Sequence, residues 1–70
     1  MDFEEYFYEV WSNVPTHTIS NEYRNRNSEL IESTTYDLFR LHDQDGRLST
    51  DLARVIIVNF FTSLLKIGVR

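Results

Sequence analysis

The amino-acid sequence predicts an all-α protein, built as one small unit of three helices. Apolar residues recur at helical spacing in three segments, and two short breaks separate those segments. A chain of 70 residues is long enough for one small domain. Because it has no cysteine, no disulfide bond can stabilise that domain. Hydrophobic residues make up 41% and charged residues 26%, which is typical of a folded chain. We therefore predict a single helical domain over residues 1–70.

The first predicted helix covers approximately residues 2–14. Asp2 is the expected N-cap, and Glu5 three residues later completes a pair that resembles a capping box. Pro15 is expected to end the helix, because the residue before a proline disfavours the α conformation. The apolar residues of this segment follow one another at i, i+4, i+7, i+8 and i+11 and so share one face: Phe3, Phe7, Val10, Trp11 and Val14.

The second predicted helix covers approximately residues 21–41. Residues 21–27 are polar and rich in asparagine, so they fit either a first helical turn or a loop, and Ser28 is the expected N-cap if the helix starts late. Residues 42–46 are typical of a turn, because Asp and Gly supply local hydrogen bonds and a positive φ. The apolar face of this helix consists of Leu30, Ile31, Thr34, Leu38 and Leu41.

The third predicted helix covers approximately residues 49–67, with Ser49 or Thr50 as its cap and Gly68 as its stop. Its apolar residues span roughly 240° of the helix circumference, whereas a surface helix needs only about 100°. Two short amphipathic helices cannot cover so wide an arc. The sequence therefore predicts that this hydrophobic C-terminal helix pairs with a second copy in a homodimeric helical bundle. The expected self-association residues are Ile57, Val58, Phe61 and Leu65.

Two other arrangements of the third helix are compatible with the sequence. Its uncovered face could dock on a different protein, or the three helices could cross so that the third is fully enclosed in a monomer. The core of a small domain supplies only about 3–5 kcal/mol of stability. Leaving several large apolar side chains in water would lose a stabilisation of similar size. This comparison favours self-association.

Negative charge and aromatic residues are concentrated at the N-terminal end. The formal net charge of −4 comes from the first ten residues, because acids and bases balance in the rest of the chain. Aromatic anchors inside a rim of carboxylates are typical of a surface that attracts a basic partner. The sequence predicts such a partner-binding surface from Glu5, Tyr6, Tyr8 and Glu9, the groups off the apolar face of the first helix. The plainer interpretation is a solvated helix face.

These features favour a small non-catalytic protein–protein interaction module, such as a regulator, an inhibitor or an adaptor. No nucleophile elbow and no glycine-rich phosphate loop occurs, so we expect no catalytic residue and no cofactor. The acidic balance argues against nucleic acid and anionic membranes as partners. With no signal sequence and no membrane-spanning stretch, the expected location is intracellular, in cytoplasm or nucleus. So compact a chain would suit a regulator encoded by a phage or virus.

One alternative function is a DNA-binding regulator. The second and third segments with their short turn resemble a helix-turn-helix, and Arg47 and Arg54 would then contact the DNA. The third helix would have to enter the major groove, although it is apolar around most of its circumference.

A second alternative is a calcium-binding helix-loop-helix. The run from residue 43 to 48 is similar to the centre of an EF-hand loop, with Asp43 and Asp45 at ligand positions and Gly46 at the glycine position. Leu41 and Leu52 then occupy the first and last ligand positions, and neither can coordinate a cation. The two histidines, His17 and His42, have no second histidine at helical spacing. No metal site is therefore expected.

Overall fold

The computed structural model describes residues 1–45 and 49–68, and these are helical throughout apart from short connections, as the sequence predicts. They form four helices instead of three: α1 (Phe3–Ser12), α2 (Asn21–Arg26), α3 (Ser28–Asp45) and α4 (Thr50–Lys66). Helix α3 lies against each of the other three, and α4 packs on α1 and α3. Within the described ranges, no helix has the length and apolarity needed to cross a membrane.

The first helix begins where the sequence predicts and ends two residues early. Asp2 Oδ1 accepts a hydrogen bond from the Glu5 backbone N–H at 2.9 Å, which confirms the predicted cap. Asn13 ends the helix because its side-chain Nδ2 donates to the Glu9 carbonyl oxygen at 2.7 Å and takes up one of the last carbonyls. Val14 follows outside the helix and is still buried.

The prediction of one helix over residues 21–41 is wrong in two respects. The segment is divided at Asn27, whose backbone has left the helical region and whose Nδ2 donates to the Tyr23 carbonyl oxygen at 3.0 Å. Helix α3 then continues to Asp45, so the turn expected at 42–46 is helical as far as that residue. Gly46, the last residue of the expected turn, lies outside the described residues. Ser20 caps the short α2 by accepting from the Tyr23 N–H at 3.1 Å.

Arg24 closes the connection between α1 and α2. Its Nε donates to the Ile19 carbonyl oxygen at 2.9 Å and its Nη2 to the Val14 carbonyl oxygen at 2.7 Å. The guanidinium carbon also lies 5.1 Å from the centroid of the Trp11 ring. Burial lowers the pKa of Arg24 below its ordinary value, because desolvation disfavours the charged form. This one side chain therefore ties the loop to the end of α1.

The core is a single cluster to which every helix contributes. A hydrogen-bonded pair of buried polar groups lies within it: the Trp11 Nε1 donates to Thr35 Oγ1 at 3.0 Å, and Thr35 Oγ1 donates to the Ile31 carbonyl oxygen at 2.6 Å. This pair joins α1 to α3 without leaving a polar atom of either side chain unsatisfied. The buried apolar residues are Tyr6, Val10, Trp11, Val14, Ile19, Tyr23, Ile31, Ala53, Ile57 and Phe61.

Helix α4 begins and ends as the sequence predicts. The Ser49 Oγ accepts from the Leu52 N–H at 3.1 Å, and Gly68 follows the helix with a φ of 77°, a value that glycine adopts without strain. The helix presents one strip to the core, formed by Ala53, Ile57 and Phe61 at successive turns. The rest of its circumference is only partly covered by α1 and α3.

Candidate protein-interaction surfaces

The outer face of α1 carries three of the four residues predicted to contact a partner. Glu5, Tyr8 and Glu9 are all exposed, and Glu4 lies beside them. Tyr8 is 72% exposed, which is unusual for so large a ring. None of the three glutamates pairs with a cation among the described residues. We call Glu4, Glu5, Tyr8 and Glu9 the outer face of α1.

The placement of Tyr6 on this outer face is wrong. Its side chain is 0% exposed and packs in the core, with its ring centroid 5.4 Å from that of Phe39. The buried strip of α1 runs through Tyr6, Val10 and Trp11, so the helix is rotated relative to the predicted face. Phe3 and Phe7, which were expected in the core, are only half-buried. The rotation is possible because a tyrosine ring is apolar enough to replace a phenylalanine.

The hydroxyl of Tyr6 is buried and has no hydrogen-bond partner within the described part of the chain. Burial raises the pKa of Tyr6 above its ordinary value of 10.0, because the phenolate would lose its hydration. The hydroxyl of Tyr23 is buried and unpartnered in the same way. Both groups lie inside the core and are not available to a partner.

Two of the four residues predicted to mediate self-association are in the core. Ile57 and Phe61 are both 0% exposed, so that part of the prediction is wrong. Phe61 is held between aromatic neighbours, with its ring centroid 5.8 Å from Trp11 and 6.1 Å from Tyr23. Val58 is half-buried, and only Leu65, at 43% exposed, is accessible.

A different face of the same helix is apolar and exposed. Leu52, Ile56 and Phe60 follow at intervals of four residues, and Ile67 at the C-cap continues their line. Their side chains are 47%, 39%, 43% and 72% exposed, respectively. Asn59 and Ser63, which lie between them, are uncharged. We call Leu52, Ile56, Phe60 and Ile67 the exposed face of α4.

The sequence pattern identified the residues of the exposed face of α4 as apolar, but it did not predict that they form an exposed surface. All four residues belong to the predicted apolar arc, but periodicity alone cannot tell which part of a wide arc meets the core. That choice depends on how α4 packs on α1 and α3, which is information about tertiary structure.

The described residues of the calcium-binding alternative lie in helices and not in a loop. Asp43 lies inside α3, which is helical through Asp45, whereas EF-hand ligands at those positions come from a loop. Gly46 and Leu48 are outside the described residues. In residues 1–45 and 49–68, no group of three or more acidic or histidine side chains could hold a metal ion. Leu41 and Leu52 are exposed apolar residues.

Of the two arginines of the DNA-binding alternative, the structure describes one. Arg54 is half-buried on α4, and Arg47 lies outside the described residues. The exposed histidine, His17, is in the connection between α1 and α2, and His42 is half-buried beside the Tyr6 ring at 5.3 Å. The geometry therefore gives the two surfaces on α1 and α4 more support than either alternative.

Comparison with protein-family models, with curated proteins and with solved structures found no match to this chain.

Proposed function

We propose that the chain is a small non-catalytic protein-interaction module, a regulator, inhibitor or adaptor. It self-associates through the exposed face of α4 and presents the outer face of α1 to a partner protein with a basic surface. The observation that carries this proposal is the exposed face of α4, a line of four large apolar side chains without a charge.

The energetic argument for self-association rests on the size of these side chains. Fully burying one leucine, isoleucine or phenylalanine side chain stabilises a structure by roughly 1.5–3 kcal/mol, and the residues of this face are between 39% and 72% exposed. Monomeric proteins of this size have little stability to spare. Covering the face against an equal surface would therefore add an amount comparable to the stability of the monomer.

The charge distribution allows a second copy to bind at the exposed face of α4. The chain carries a formal net charge of −4, so two copies repel each other over much of their surfaces. The exposed face of α4 is an uncharged strip on which two copies can approach without bringing like charges together. A two-fold axis near Phe60 would place the same residues of both copies in contact, as closed dimers require.

The outer face of α1 supports the second half of the proposal. Tyr8 projects a large aromatic ring into solvent between the carboxylates of Glu5 and Glu9. Tyrosine is among the residues that contribute most to binding when an interface covers them. Unpaired carboxylates around it would accelerate association with a basic surface and disfavour an acidic one.

Self-association is tested by substituting one exposed residue on each side of α4. Phe60→Glu places a charge on the exposed face of α4, and Leu65→Glu does so at a residue that is equally exposed, at 43%, but off that face. Sedimentation equilibrium should give wild type and Leu65→Glu a mass near twice 8.4 kDa, and Phe60→Glu a mass near 8.4 kDa. Dissociation by Leu65→Glu alone would place the interface on the other side of the helix.

The partner surface is tested by affinity capture from the native host. Wild-type bait should retain a protein that a Tyr8→Ala, Glu9→Ala double variant loses. Glu22→Gln serves as the matched control, because Glu22 is also an exposed helical acid but lies on α2. Equal retention by the wild type and the double variant would remove the outer face of α1 from the proposal.

A further inference from the structure

A groove runs between α1 and α3; it shares Glu4 with the outer face of α1 and no residue with the exposed face of α4. It consists of three adjoining depressions of about 530, 210 and 220 Å³. Glu32 lines all three, Phe3 lines the first two, and Phe7 lines the second and third, so the depressions are continuous.

The floor of the groove is aromatic. The ring centroid of Phe3 lies 5.9 Å from that of Phe7 and 5.3 Å from that of Tyr36, both in edge-to-face geometry. At the far end, the Phe7 centroid lies 6.2 Å from that of Trp11. These contacts hold the rings in fixed positions, and the half-buried Phe3 and Phe7 remain partly accessible. A flat, rigid apolar floor of this kind binds the stem of a long side chain at low entropic cost.

The rim of the groove is acidic and unneutralised. Glu29 and Glu32 stand one helical turn apart on α3, so their charges repel each other. Asp37 lies on the same helix, and Glu4 approaches from α1. None of these four carboxylates forms an ion pair with a residue that the structure describes. A cation bound between them would relieve the repulsion.

The single base that lines the groove does not neutralise this rim. Arg24 lies at the Trp11 end, where its guanidinium donates to the carbonyl oxygens of Val14 and Ile19. It also covers the Trp11 ring at 5.1 Å. The protein thus already holds one guanidinium against an aromatic ring at one end of the groove, whereas no Lys or Arg is among the described residues that line the Phe3 end.

We propose that the Phe3 end of this groove binds an arginine side chain carried by a basic segment of the partner protein. The aliphatic stem lies across Phe3 and Tyr36, and the guanidinium donates to Glu29, Glu32 and Asp37. Arginine suits the site better than lysine, because its planar group both stacks on aromatic rings and pairs with carboxylates through two parallel bonds. The inference rests on the proposed function, since it names the chemistry of that partner.

Two other occupants fit the groove less well. A bare metal ion would use the carboxylates but gain nothing from the aromatic floor, which makes up much of the surface. A nucleic acid would bring phosphates against the acidic rim and be repelled. An arginine side chain is apolar along its stem and cationic at its tip, and so matches both parts of the groove.

The test is a titration of the full chain with a short blocked glycine–serine peptide that carries two arginines. The control peptide has citrulline in place of arginine, which keeps the shape and removes the charge. Two-dimensional NMR should show saturable shifts at Phe3, Glu32 and Tyr36 with the arginine peptide alone. Binding should weaken as salt is added, because exposed charges are screened.

Three conservative substitutions locate the binding site. Glu32→Gln and Asp37→Asn should each weaken peptide binding by about three- to fivefold, the upper part of the range measured for exposed charge pairs. Glu22→Gln is the matched control: it removes the same charge from α2, outside the groove and both proposed surfaces, and should leave the affinity within about twofold, because only screened long-range attraction is lost.

Several results would overturn the proposal. Equal weakening by Glu22→Gln and Glu32→Gln would mean that the peptide responds only to net charge. Equal binding of the citrulline peptide, or shifts confined to α4, would exclude the groove. If the peptide does not bind and the protein still dimerises, the proposed arginine site is wrong and self-association is unaffected. If the peptide binds and the protein is monomeric at all concentrations, self-association is wrong and the arginine site is unaffected.

Discussion

At the scale of single residues, the polar groups of the core differ in whether their hydrogen bonds are satisfied. The Trp11 indole N–H donates to the Thr35 hydroxyl and so joins α1 to α3, and the Thr35 hydroxyl donates to the Ile31 carbonyl oxygen. The hydroxyls of Tyr6 and Tyr23 are as deeply buried but have no partner within the described residues. Removing a satisfied group should therefore destabilise the protein, and removing an unsatisfied one should not.

Thr35→Val tests the satisfied pair. Valine keeps the shape of threonine but leaves the Trp11 N–H buried without an acceptor, so the free energy of unfolding should fall by about 1–3 kcal/mol. Thr62→Val is the control, because the half-buried Thr62 hydroxyl donates only to backbone carbonyls of its own helix. Urea unfolding should show little change for the control. An equal loss for both variants would contradict the importance of the Trp11 contact.

Tyr6→Phe tests the unsatisfied hydroxyl and its pH dependence. At neutral pH the variant should be as stable as wild type or more stable by up to about 1 kcal/mol. Above pH 10.0 the unfolded tyrosine loses its proton more readily than the folded one, whose pKa is raised by burial. Stability therefore holds below that pH and falls as the pH rises through the folded pKa.

In unfolding experiments at alkaline pH, the Tyr6→Phe variant should lose the part of the decline in stability that the Tyr6 hydroxyl causes. Tyr8→Phe, which removes a hydroxyl from a residue 72% exposed, should retain it. A decline of the same steepness in Tyr6→Phe would show that Tyr6 is not the titrating group.

Residue-scale features were predictable where they are local. The caps at Asp2 and Ser49 and the stop at Gly68 follow from side-chain chemistry within a few positions, and the structure confirms them. The burial of Tyr6 was not predictable, because a tyrosine ring suits both a core and a surface. The acidic groove was also missed, since Glu29, Glu32 and Asp37 lie next to Phe3 only after α1 and α3 pack together.

At the scale of the helices, the sequence located three helical segments and missed one division. Asn27 separates α2 from α3, and its only signal in the sequence is an asparagine within an already polar run. The centre of the buried face of α1 was also misjudged, because Tyr6 is in the core where Phe3 and Phe7 were expected. Apolar periodicity determines that a helix has a buried side, but the neighbouring helices select which residues form its centre.

The N-cap of α4 provides a test at this scale. Ser49→Ala removes the acceptor of the Leu52 N–H, so the free energy of unfolding should fall by about 1 kcal/mol. Ser63→Ala, in the exposed last turn of the same helix, should be neutral or slightly stabilising, because alanine is the better helix former. Thermal unfolding of the two variants gives the comparison. A Ser49→Ala variant as stable as wild type would contradict the cap.

At the scale of the whole molecule, the sequence indicated more apolar surface on α4 than the chain can cover. The structure agrees that much of this helix faces solvent, but places the exposed apolar residues on a side other than the predicted one. Ile57 and Phe61 complete the core, whereas Leu52, Ile56 and Phe60 lie outside it. Homodimer formation itself stays a proposal, because its support is the exposed face alone.

Isotope-filtered NMR on a mixture of labelled and unlabelled chains tests this proposed dimer without any substitution. Only contacts between two copies give signals in such a sample. We expect contacts from the Phe60 ring to the methyl groups of Ile56 and Leu52 of the second copy, growing with protein concentration. A wild-type sample at high concentration with no contact between copies, or with contacts confined to Leu65 and Val58, would contradict self-association through the exposed face of α4.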